Sequence, residues 1–105
     1  MEYSVYMTAF RNKSKIRLVE VPDDQINDDK MDTLEAIFCN GQNYIQPLEL
    51  PSVSVGDIIG LDDEYWLVLG LGFEQITKEK FDSIGDDEKL GTMAYGFSQI
   101  KISRT

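Results

Sequence analysis

"GDIIGLDDEYWLVLGLGFEQI", residues 56–76, is the stretch whose reading decides the fold. Its apolar run from Tyr65 to Leu71 is almost continuous, as in a central strand covered on both faces or carrying a helix on one. The short acidic turn before it suits a hairpin around Asp62 and Asp63, which sets Ile58 and Ile59 beside that strand. Asp57, following Gly56, suits a tight turn into the first strand, its carboxylate accepting nearby backbone N–H groups. A third strand begins at Phe73. Here Phe73 and Gln75 share one face, while Gly72, Glu74 and Ile76 share the other.

The pentapeptide "GFEQI" (72–76) returns as "GFSQI" at 96–100. Their flanks match poorly, and repeat architectures need about three units to bury a continuous core. Each glycine marks a bulge or a close backbone approach. The echo is read as shared strand chemistry, not as a duplicated site.

Working outward, "YSVYMTAF" reads as a strand. "KSKIRLVEVP" reads as its hairpin partner, with Ile16, Leu18 and Val21 apolar against Arg17 and Glu20. The intervening "RNKSK" lacks the signature of the tightest turns. The period then changes. Met31, Leu34, Ile37 and Phe38 form a helical stripe, predicting a helix over 28–39. Asp28, Asp29 and Asp32 favour its positive end, and Asn40 with Gly41 suits a left-handed stop. "NYIQPLELPSVSV" reads as an extended connector. "TKEKFDSIG" reads as a short helix capped by Thr77, with Phe81 and Ile84 facing the core and Gly85 closing it. "DDEKLG" is a loop, and "TMAYGFSQIKIS" (92–103) is a final strand. The expected class is α+β: one domain over 1–105, a mainly antiparallel sheet of about five strands, one principal helix and one short helix.

The totals fit that picture. At 105 residues, 42% hydrophobic and 10% aromatic, the chain resembles a folded domain and not a disordered tail. No apolar run approaches the ~20 residues that span a bilayer. The first ten residues lack the layout of a secretory signal. Cys39 is alone, so no internal disulfide is available, and a cytoplasmic setting is expected. The formal net charge of -9 repels nucleic acid and favours partners with a basic surface.

Most chemical constellations lack their parts. Without histidine there is no Ser-His or Cys-His nucleophile and no usual zinc set. "GLGFEQ" lacks the third glycine of a dinucleotide loop and lies on a strand. No cofactor, metal or catalytic residue is therefore expected. Cys39 is read as a small, partly buried apolar residue and Trp66 as a core anchor.

Charge distribution supplies the remaining candidates. An acidic interaction surface is drawn from three clusters: Asp23, Asp24, Asp28, Asp29 and Asp32; then Asp62, Asp63 and Glu64; then Asp86, Asp87 and Glu88. None has the alternating ligands of a calcium loop. Arg11, Lys13, Lys15 and Arg17 give the first hairpin a basic tip or face.

The motif at residues 52–59, "SVSVGDII", with the acidic turn and aromatic strand at 62–65 and "GFEQI" at 72–76, resembles small YodL-like proteins of Gram-positive phages and conjugative elements. "VYMTAFRNKSKIRLVEVP" and "FCNGQN" are similar to the opening of such proteins. The resemblance covers most of residues 4–76. It implies a mobile-element setting and supplies no mechanism, because the family has no established catalytic residues. The leading expectation is a non-catalytic accessory protein that binds another protein, without direct nucleic-acid or membrane contact. The alternative is an acidic DNA mimic, with carboxylates standing where phosphates would sit.

Overall fold

The computed structural model describes residues 1–46 and 50–90. The expected final strand and the second pentapeptide lie outside these residues. Among the described residues, five strands form one antiparallel sheet: β1 (Glu2–Tyr6), β2 (Ile16–Glu20), β3 (Ile58–Leu61), β4 (Glu64–Val68) and β5 (Phe73–Ile76). Their spatial order is β2-β1-β3-β4-β5. Helix α1 (Lys30–Asn40), preceded by a 3-10 turn at Asp23–Gln25, lies in the connection from β2 to β3, and α2 (Lys78–Ser83) follows β5. The α+β class expected from the sequence is the observed one.

The central hairpin forms as its sequence dictates. Ile58 pairs with Leu67 and Ile59 with Trp66. Asp62 and Asp63 turn the chain with φ of 50° and 63°, the left-handed pair that a tight two-residue hairpin turn requires and that Asp tolerates. Asp57 enters β3 buried, its two carboxylate oxygens accepting from Ala9 N at 2.9 Å and Ser54 N at 2.8 Å. Gly56 supplies the positive φ just before it.

One sheet face carries Tyr3, Val5, Val19, Ile59, Leu61, Trp66 and Val68, which pack with Leu34, Ile37 and Val53 into the main core. Leu34 and Ile37 are fully buried, worth about 1.5–3 kcal/mol each. Asp29 caps α1, its carboxylate accepting from Met31 N and Asp32 N, a contribution of about 1 kcal/mol. Met31 is exposed and drops out of the expected stripe. The predicted left-handed stop is not used, because Gly41 has φ -80°. Glycine is required there for a different reason: a Cβ would overlap the Val53 side chain.

Two expectations are reversed. On β2, Arg17 and Val19 point inward, whereas Ile16 and Leu18 are 46% and 51% exposed. Arg17 therefore does not belong to an exposed basic face. Its acceptors lie on the loop over the inner face, and they fix the alternation more firmly than two aliphatic side chains at the sheet edge do. Cys39 is exposed, because the inward stripe of α1 runs through Thr33, Leu34, Ile37 and Asn40. Thr77 does cap α2, accepting from Lys80 N, and Phe81 and Ile84 enter a second core with Ile58, Leu67, Leu69 and Leu90.

Candidate functional site

Residue 17 carries a charge into the protein interior, and the loop after α1 is built around it. The Arg17 guanidinium, 1% exposed, donates to Asn43 Oδ1 at 2.6 Å, Pro51 O at 3.0 Å and Gln46 O at 2.6 Å. These acceptors are all neutral, and burial pushes the arginine pKa down. Its Nε is buried with no hydrogen-bond partner among the described residues. A buried charge is stable only when most of its donors are met, so the loop must hold this shape.

Side-chain amides complete the framework. Gln42 Nε2 donates to Phe38 O and Val53 O, at 2.8 and 2.9 Å. Asn43 Nδ2 donates to Leu50 O, and its backbone N–H donates to Ser52 Oγ. Gln46 clasps the edge of β2, donating to Glu20 O and accepting from Glu20 N. Against this rigid backing, Tyr44 is 80% and Ile45 50% exposed. Neighbouring apolar side chains on a loop fixed by a scaffold are typical of recognition surfaces. Sequence reading missed the element by taking it as an extended connector. The amide-rich run "NGQNYIQ" at 40–46 was the available signal.

The same side of the sheet edge continues onto the outer face. Leu18 lies opposite Ser4, and Tyr65 lies opposite Gly60 across the next hairpin. Ser4 and Gly60 are too small to fill the space between them. A groove of about 450 Å³ results, flanked by Tyr6 and Tyr65 and rimmed by Glu2, Asp62, Asp63 and Glu64, with Lys78 at one side. The tyrosines are held from behind by Phe81, which stacks on Tyr65 at 4.1 Å and meets Tyr6 edge-on at 4.8 Å. Lys30 reaches Glu64 from α1 and holds that carboxyl below its usual range. Burial pushes the Tyr6 hydroxyl up, and Tyr65 adds to the effect.

The acidic residues divide into two regions. Asp28 and Asp62 line one hollow of about 280 Å³ beside Tyr3 and Lys30, so the first and second clusters adjoin there. Asp29 is a helix cap, and Asp23 lies 3.6 Å from the N-terminal ammonium. Asp24 and Asp32 are exposed. Asp86, Asp87 and Glu88 follow α2, near where Leu90 N bonds Thr8 O. Thr8 lies in the turn beyond the far end of β1 from Glu2, a strand about 13 Å long at the usual rise. That end also holds Arg11, Lys13 and Lys15. Lys13 is engaged with Phe81 O and Asp82 O, and it lies 5.4 Å from the Phe81 ring centroid. Among the described residues no three metal-ligating side chains converge on a cation position, and no helix is long and apolar enough to cross a membrane. Compared with known protein families, curated proteins and solved structures, the chain matches none.

Proposed function

We propose that this chain is a non-catalytic accessory protein that acts by binding another protein, and that its contact surface is the Tyr44–Ile45 loop with the adjoining open edge at Leu18. The observation that carries the reading is the contrast within one loop: a buried arginine and three side-chain amides fix its backbone, yet its two large apolar side chains face water. Contact side chains presented on a backbone already fixed leave less ordering cost to binding. The acidic balance of the chain favours a partner with a basic surface, and a mobile genetic element is the setting that belongs to this proposal.

The test is affinity capture from a bacterial host lysate with the native chain and with Tyr44→Ala. A partner held through a high-salt wash by the native chain, and lost by the variant at unchanged melting temperature, is the expected result. A second reading, the acidic DNA mimic, draws on the adjoining of Asp28 and Asp62. It expects a DNA-handling enzyme that is released by added duplex DNA and is indifferent to Tyr44→Ala. The two readings thus give opposite outcomes in one experiment.

A further inference from the structure

The groove over Ser4 and Gly60 combines acidic residues with two half-buried tyrosines, which the smaller hollow at Asp28 and Asp62 does not. Its floor is made by residues without bulk, Tyr6 and Tyr65 pack together as one aromatic wall with ring centroids 5.9 Å apart, and Glu2, Asp62 and Asp63 complete its lining. Of the nearby cations, Lys30 is paired with Glu64, and Lys78 lies 4.0 Å from Asp82 on its own helix. A flat cation fits this combination better than a compact one. A guanidinium offers its edge N–H groups to carboxylates while its face lies on an aromatic ring, whereas an ammonium leaves the flat wall unused.

We propose that this groove receives an arginine side chain from an extended, basic segment of the partner protein. The proposal rests on the protein-binding reading and adds the chemistry of the partner. Tyr44 and Ile45 supply apolar contact at the loop, and the groove supplies charge recognition beyond Leu18. The arginine would pass the exposed Leu18 side chain and end between the tyrosines and the Glu2–Asp62 rim.

The test uses the whole chain and a small probe, N-acetyl arginine amide, with the citrulline analogue as its neutral counterpart. Backbone amide shifts at Ser4, Gly60 and Tyr65 are followed by NMR through the titration. Two variants challenge the site without removing the fold. Asp62→Asn with Asp63→Asn discharges the rim, and Asn tolerates the left-handed turn. Gly60→Val fills the floor, since a Cβ there meets only Ser4 O at 3.5 Å and Tyr6 Cε2 at 3.6 Å, ordinary contact distances. Saturable shifts confined to the groove are expected for the arginine probe. They should weaken at least about fivefold in the double Asn variant and be lost in Gly60→Val, on the usual reach of close charge pairs. Equal shifts from citrulline would overturn the proposal. So would unsaturated shifts of equal size around Asp86 and Glu88, which would show only a counterion atmosphere. Because the probe needs neither Tyr44 nor the partner, failure of the groove and failure of the protein-binding reading are separable.

Discussion

The two faces of the sheet are finished to different degrees. The inner face is closed by α1 and by the loop on Arg17, so that Val5, Val19, Leu34, Ile37 and Ile59 have no exposed surface. Among the described residues, the outer face is covered where α2 lies over Ile58 and Leu67. Helix α2 has six residues, too short to reach β2, and Ile16 and Leu18 remain in water. Stability is concentrated on the first face. The second has surface to spare for recognition, and Leu18 and the proposed groove lie on it, while Tyr44 and Ile45 project from the loop that closes the first.

The contrast breaks most readily in the inner core. Ile37→Ala should lower unfolding free energy by about 2–5 kcal/mol, as read by urea denaturation. The same truncation at Leu18 should cost less than about 0.5 kcal/mol. Comparable losses at both positions would mean that the outer face is covered after all.

Arg17 is the next largest. Arg17→Ala leaves Asn43 Oδ1, Gln46 O and Pro51 O without their donor. A loss of about 3 kcal/mol is expected from stranded buried acceptors. Hydrogen exchange should rise first at Asn43 and Gln46 while α1 stays protected. Uniform loss of protection would place Arg17 in the global core instead of in loop support.

Asp57 sharpens the comparison through pH. Burial raises its pKa from 3.8 to about 6, against the two backbone N–H bonds that favour the ionised form. Because the folded value lies above the unfolded one, its stabilising contribution is complete below pH 3.8 and is lost as pH rises through about 6. Keeping it ionised costs about 3 kcal/mol. Unfolding free energy should therefore fall between about pH 4 and pH 7, and Asp57→Asn should remove the part of the slope that lies between pH 3.8 and about 6. An unchanged slope in the variant would assign the pH dependence to surface repulsion among the other carboxylates.

The smallest effect expected on stability is at the proposed contact. Tyr44→Ala should change melting by less than the equivalent of about 0.5 kcal/mol, as for an exposed side chain away from packing, while abolishing partner capture.

Much of the fold was legible because local signals agreed with tertiary packing. The Asp62–Asp63 turn, the apolar run of β4, the Asp29 region at the start of α1 and the Thr77 cap all read correctly from short windows. The orientation of β2 did not, because Arg17 is buried by acceptors contributed from residues 43, 46 and 51. No window around residue 17 contains them. Cys39 was misplaced because its burial depends on the helix stripe, not on the residue's own preference. The stretch from Asn43 looked like a connector because the order of the loop comes from the Gln42 and Gln46 side-chain amides with long-range partners, at Val53 and Glu20. The acidic clusters were visible as charge, but their separation into two ends depends on the antiparallel path of β1 and β3.

The central claim is that the partner meets the Tyr44 side of the molecule. A photo-crosslinking residue placed at Tyr44 tests it most directly, with the same residue at Glu35 on the exposed face of α1 as the comparison. After irradiation in host cells, a single heavier adduct from position 44, with none from position 35, is the expected result. An adduct from position 35 alone, or none from position 44, would contradict the account.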